Sequence, residues 1–203
     1  MRRLYWLFPL AIAAWAAFAL AARAGDREDC NSSNDEVKIL GCSAVIEAGK
    51  DKKNIAKAHY NRGNAYQRKG ERALAIADYG KAISLNPKDA EVYHMRGNVY
   101  FDRGDYARTL ADYDKAIAIK PRKAGTYYNR GNVYFNQGNY EFAIADFGKA
   151  IALKPDDASA YCNRGAAYEK LGNNQKAAAD FRKALALRPG YEPAAKGLNR
   201  VGE

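Results

Sequence analysis

Between residues 56 and 191 apolar and small residues recur on a helical rhythm that is broken at fixed intervals. Ala56, His59, Gly63 and Tyr66 fall three or four residues apart, on one face of a predicted helix over 56–69 that Gly70 ends. Ala75, Ile76, Tyr79, Ala82 and Ile83 form a second stripe, a predicted helix over 73–85 that stops before Asn86-Pro87. Proline has no N–H for the helical ladder and disfavours helical backbone at the residue before it, so the chain must restart. It restarts with the same pattern. Gly63, Gly97, Gly131 and Gly165 are each 34 residues apart, and so are Gly70, Gly104, Gly138 and Gly172. Tyr66, Tyr100, Tyr134 and Tyr168 keep the step, as do Ala82, Ala116, Ala150 and Ala184, and Pro87, Pro121, Pro155 and Pro189. Self-similarity at this period predicts a stack of two-helix units at 56–89, 90–123, 124–157 and 158–191, with no insertion between them.

Small residues at the Gly63 and Ala82 phases let helix backbones approach closely, and rings at the Tyr66 and Tyr79 phases fill the space that remains. With each unit numbered 1 to 34, Gly stands at 8, Tyr at 11, Gly at 15, an aromatic at 24, Ala at 27 and Pro at 32 in all four. This resembles the tetratricopeptide repeat, whose pattern is an aromatic, then Leu-Gly, Tyr, Gly, Ala, aromatic, Ala and Pro. The departures are His59 at the first aromatic position, Thr109 in place of Ala at position 20, and Arg in place of Leu at position 7. The resemblance implies an all-α, right-handed superhelical solenoid that binds proteins and carries no catalytic function or cofactor.

The Arg at position 7 recurs as Arg62, Arg96, Arg130 and Arg164, and position 23 is always Asp: Asp78, Asp112, Asp146 and Asp180. Residues 7 and 23 lie about equally far before and after the inter-helix turn, so antiparallel helices bring them to one height. Two readings follow: an Arg–Asp latch within each unit, or a ladder of Arg for an anionic ligand. The matched acid at the same period favours the latch. Lys81, Lys115, Lys149 and Lys183 at position 26 have no such partner and read as a solvated face.

The resemblance further implies a concave groove lined by the first helix of each unit, through positions 2, 5, 6, 9, 12 and 13. Position 9 gives Asn64, Asn98 and Asn132; position 5 gives Tyr60, His94 and Tyr128; position 12 includes Phe101 and Phe135. An amide both donates and accepts, so a row of Asn can pair with an extended peptide of any sequence, beside aromatic pockets. These eight residues are the expected partner contacts, the other reading being that the Asn residues brace the helices themselves. The charges at positions 2, 5, 9, 12 and 13 cancel, and position 5 has no Lys to clamp a carboxylate. A protein or peptide ligand is therefore expected rather than nucleic acid. A self-assembling or spacer component that leaves the groove empty is the competing class, and a monomer is the expected state for an adaptor.

Outside the repeats the chain carries an address. Two Arg precede 19 uncharged residues, Leu4–Ala22, and Ala22-Arg23-Ala24 makes a small-residue cleavage site, the order of a secretory signal peptide over 1–24. A run of this length can alternatively remain as an uncleaved anchor. Either way the body is exported to the periplasm or beyond, with no membrane insertion after cleavage. Removing 1–24 takes three Arg and no acid from a chain whose net charge is +10. Residues 25–55 read as an N-terminal half-unit whose helix (Val37, Ile39, Leu40, Cys42, Val45 and Ile46) packs on the first repeat; 192–203 reads as a C-terminal cap. In an exported protein Cys30 and Cys42 point to a disulfide rather than a metal site, and Cys162 is left over. Two His and three Cys form no metal-ligating or nucleophilic set; His94 has only Glu91 one turn before it.

Overall fold

A computed structural model describes residues 25, 27–49 and 51–202. The address segment 1–24 lies outside the described residues. The chain divides into two compact units, one ending at Lys88 and the other starting at Asp89. All the secondary structure of the described residues is helical.

The first unit holds α1 (Asp35–Ala48), α2 (Lys52–Arg68) and α3 (Arg72–Leu85), with α2 packed on both others. Helix α2 begins four residues before the repeat pattern places it. Lys53 occupies the position that proline takes in the later turns, so nothing breaks the helix until Asp51, whose carboxylate caps the Lys53 N–H. A disulfide joins Cys30 to Cys42. Both cysteines are buried with Ala58 against Val45 and Ile46. Two residues expected to pack on the first repeat do not: Leu40 is 72% exposed and Val37 37%. They share the outward stripe of α1, whose inward one carries Cys42, Val45 and Ile46.

The second unit holds α4 (Ala90–Phe101), α5 (Tyr106–Ile119), α6 (Ala124–Asn136), α7 (Tyr140–Leu153), α8 (Ala158–Lys170), α9 (Asn174–Leu187) and α10 (Glu192–Arg200). Each packs on the next in sequence, and the first helices also touch one another, α4 on α6, α6 on α8 and α8 on α10. The turn after each first helix passes through a glycine at positive φ, +73° at Gly104 and +78° at Gly138, which side-chain-bearing residues rarely adopt. Asp89, Asp105, Asp157 and Asn173 cap helix N-termini through their side-chain oxygens.

The same contact holds each helix pair together. The position-24 ring lies on the position-8 glycine, so a Cβ on Gly97 would sit 2.7 Å from the Tyr113 ring and one on Gly131 2.8 Å from Phe147. Phe181 is enclosed from two sides, by Gly165 and by Gly197 of α10. Its cluster runs through Ala177, Ala178 and Ala184 to Ala194 and Val201, so α10 covers the end of this core.

Candidate functional site

The Arg side chains at position 7 turn inward. Arg96 Nε and Nη2 donate to Asp112 Oδ2 and Oδ1 at 2.8 and 2.7 Å. Arg130 does the same to Asp146 at 2.7 and 2.8 Å, and Arg164 to Asp180 at 2.8 Å in both bonds. In the first unit Arg62 holds Asp78 at 2.8 and 2.9 Å. These two-pronged bonds raise each guanidinium pKa against the opposing effect of burial. Rings close over the cation: Arg96 lies 5.9 Å from both Tyr93 and Tyr100, and Arg130 5.8 Å from Tyr127 and 5.9 Å from Tyr134. In the first unit His59 stands where such a ring would, and its Nδ1 lies 2.8 Å from Asp78 Oδ1. The forks are filled from within the fold, so this row offers no open set of donors to an anion.

The amide rows occupy the face that the first helices share. In the second unit Asn129 Nδ2 donates to Asn98 Oδ1 at 3.0 Å, one repeat back, and Asn163 Nδ2 donates to Asn132 Oδ1 at 2.8 Å. Asn163 also donates to the Tyr128 hydroxyl at 3.0 Å. Asn98 Oδ1 further accepts from the Tyr113 hydroxyl at 2.6 Å, which reaches up from the second helix. The position-9 carbonyls thus brace the repeats, and Asn98 Nδ2 also donates to Met95 Sδ at 3.9 Å, so a ligand meets chiefly the remaining N–H capacity of Asn98 and Asn132. Position 6 carries the stitching donors; their recurrence as Asn129 and Asn163 is the signal in the sequence, but the partner one repeat away is set by the fold.

In the first unit the Tyr79 hydroxyl lies 2.6 Å from Asn64 Oδ1 and 2.8 Å from Gln67 Oε1. A phenol has one proton, so it donates to one of these and the other amide turns its NH2 toward the phenol oxygen. Burial pushes the Tyr79 and Tyr113 pKa values up, keeping both hydroxyls protonated donors. Tyr60 is half-buried, its ring 6.2 Å from Tyr79.

Tyr128, Phe101 and Phe135 are half-buried in the second unit. Each leans on a ring of a second helix: Tyr128 on Phe147 at 5.8 Å, Phe101 on Tyr106 at 5.9 Å and Phe135 on Tyr140 at 5.3 Å. His94 does not belong with them. It is only 8% exposed, stacks on Tyr113 at 5.6 Å, and its Nδ1 sits 3.1 Å from Thr126 Oγ1. Its expected role in partner contact is corrected: Thr126 of α6 closes over it. Desolvation, with a smaller push from Lys123, lowers its pKa to about 4. Glu91 pairs with Lys123 at 2.6 Å instead of with His94. Cys162 is buried and free, and burial raises its thiol pKa. Among the described residues no group of His, Cys, Asp and Glu could hold a metal ion.

The family described as "TPR repeat" matches residues 97–138 and 131–172, and that described as "Tetratricopeptide repeat" matches 56–89, 79–111 and 158–191. A search of the curated proteins matches none of them. Among solved structures the chain is similar to MamA, at 27% identity over 84% of this chain and 90% of that one, with a TM-score of 0.72. It is similar in fold to YrrB, a TPR protein with an unusual peptide-binding site, at 20% identity over 95% of this chain and 98% of that one, TM-score 0.77. It is also similar to the first TPR of Spaghetti (RPAP3), solved bound to the HSP90 peptide SRMEEVD, at 30% identity over 55% of this chain and 89% of that one, TM-score 0.54. Repeats in register, a glycine under a ring in every unit and these matches make one conclusion: the chain belongs to the tetratricopeptide repeat family.

Proposed function

We propose that the protein is a non-catalytic adaptor that holds an extended peptide or protein segment against the first helices. The observation that carries this reading is the stitched amide row of the second unit. Asn129 and Asn163 fix the Asn98 and Asn132 amides in place. One N–H of Asn98 is turned to Met95 Sδ at 3.9 Å, and Asn132 is bonded to Tyr128. The donor capacity left on their Nδ2 groups is preorganised beside Phe101, Tyr128 and Phe135. Peptide carbonyls would accept from the amides, and apolar peptide side chains would lie on the rings. The peptide complex of the Spaghetti domain and the peptide-binding site of YrrB support the reading for the family. Position 5 supplies no Lys, which points away from a carboxylate-clamped ligand.

Export is part of the proposal. It rests on the address pattern of residues 1–24 and on the Cys30–Cys42 disulfide, a bond that persists in oxidising compartments. No helix of the described residues is long and apolar enough to cross a membrane.

The test is affinity capture from envelope extract with the wild-type chain, with Phe101→Ala/Phe135→Ala, and with Asn98→Asp/Asn132→Asp. The Asp pair keeps the bracing acceptors and deletes the Nδ2 donors. A partner held by wild type and lost by both variants, at unchanged melting temperatures, identifies the ligand. Equal capture by all three sinks the groove, and particle size rising with concentration would then favour self-assembly.

A further inference from the structure

The second helices of the second unit carry a cation at one recurring position. In the second unit Lys115, Lys149 and Lys183 occupy the same position on α5, α7 and α9, and all three are exposed. On one helix, an acid three or four residues away is placed to pair with a lysine. Here the residue four before each is alanine and the residue three after each is alanine, as Ala111 and Ala118 are for Lys115. Four residues after stands Ile or Leu. The one acid in reach, three before, is the latch aspartate, buried and held by its arginine. The other acid beside Lys115, Asp114, pairs with Arg130. Among the described residues the three lysines form no ion pair. Five residues further on, Lys120, Lys154 and Arg188 add a second exposed row of cations at the helix ends.

We propose that this face of α5, α7 and α9 docks on an anionic lipid bilayer. Lysine ammonium groups are hydrated point charges, suited to the diffuse field of a headgroup layer more than to paired recognition of one carboxylate or phosphate. The alanines between them keep the surface low, so the lysine stems can lie along it and hold their charges outward. Phe142 stands seven residues before Lys149, two turns back on the same side of α7, and is 63% exposed. Its ring rests on Tyr134 at 5.3 Å, which aims an apolar group from a cationic surface, the pairing that interfacial binding uses. The face carries no amide row and no further ring to read a base or a peptide. This docking is independent of the first-helix groove and leaves that groove open.

The test is co-sedimentation of the full chain with phosphatidylglycerol vesicles and with phosphatidylcholine vesicles, at low and high salt. Any contribution of the apolar segment 4–22 is common to every variant and is read on the neutral vesicles. Wild type should prefer phosphatidylglycerol and lose that preference at high salt. Lys115→Glu/Lys149→Glu/Lys183→Glu should weaken binding to phosphatidylglycerol by roughly tenfold or more and leave phosphatidylcholine binding unchanged. The triple Lys→Arg variant should behave as wild type, and Phe142→Ser should weaken binding without altering its salt dependence. Equal partition of wild type on both lipids, or a Glu variant that binds as wild type, overturns the proposal. So does tighter binding to duplex DNA than to anionic vesicles through the same lysines, which would make the partner a nucleic acid.

Discussion

The two units build one latch with different neighbours. In the second unit the Arg130 fork fills Asp146, rings of Tyr127 and Tyr134 cover it, and Nη1 reaches Asp114 of the repeat before at 2.6 Å. In the first, Arg62 Nη1 reaches Ser43 of α1 at 2.7 Å, and His59 gives Asp78 a further partner in place of a ring. The ends differ as well. The first unit ties down its half-repeat with a covalent bond, whereas the second is closed by α10 packed on Phe181. One repeat rule therefore tolerates quite different local chemistry, provided that the buried carboxylate is answered and the apolar end is covered.

The largest expected effect breaks the latch. Arg130→Leu leaves Asp146 buried without its cation and should cost about 3–5 kcal/mol in urea unfolding. Arg62→Leu should cost less, because Asp78 keeps His59. If Arg130→Leu/Asp146→Leu is no more stable than Arg130→Leu alone, the pair is not what joins the helices.

Acid acts on the second unit through His94. The folded pKa of His94 is lowered from 6.5 to about 4, so as pH falls between these values the unfolded chain takes up a proton that the folded chain refuses. The contribution is complete above 6.5 and lost progressively toward 4, about 3 kcal/mol in all. His94→Gln should flatten the fall of melting temperature over this window; an unaltered slope would mean that His94 titrates normally.

Reducing the disulfide acts on the first unit. Its loss should cost about 3 kcal/mol and speed hydrogen exchange in α1. Gly131→Ala should cost about 1–3 kcal/mol, because the new methyl meets the Phe147 ring, and calorimetry would show it as a lower melting temperature. Smallest is Arg200→Ala. Its bonds to Glu169 at 2.7 and 2.8 Å lie at the surface, and removing them should change stability by less than about 1 kcal/mol.

The arithmetic of the repeat carries most of the fold, because helix rise and turn length alone bring Arg130 level with Asp146 and Gly131 under Phe147. Groove exposure is not contained in that arithmetic. His94 shares its repeat position with Tyr60 and Tyr128, yet Thr126 from the next repeat closes over it. The Asn98 carbonyl is engaged by a hydroxyl from α5 and an amide from α6, partners that no local pattern around Asn98 names. The early start of α2 is legible as a missing proline at Lys53, although the repeat boundary falls at Ala56. Spacing reveals what a residue can reach along its own helix pair; the adjoining repeat decides what still faces outward.

The stitching bonds have a kinetic meaning. Those between neighbouring repeats of the second unit, Asn98–Asn129 and Asn132–Asn163, each close 31 residues, and Tyr128–Asn163 closes 35. Such short loops cost little entropy to form, and structures dominated by them fold quickly. A chain delivered end-first through a narrow passage could therefore complete each repeat as the next emerges, with no early segment waiting for a distant one.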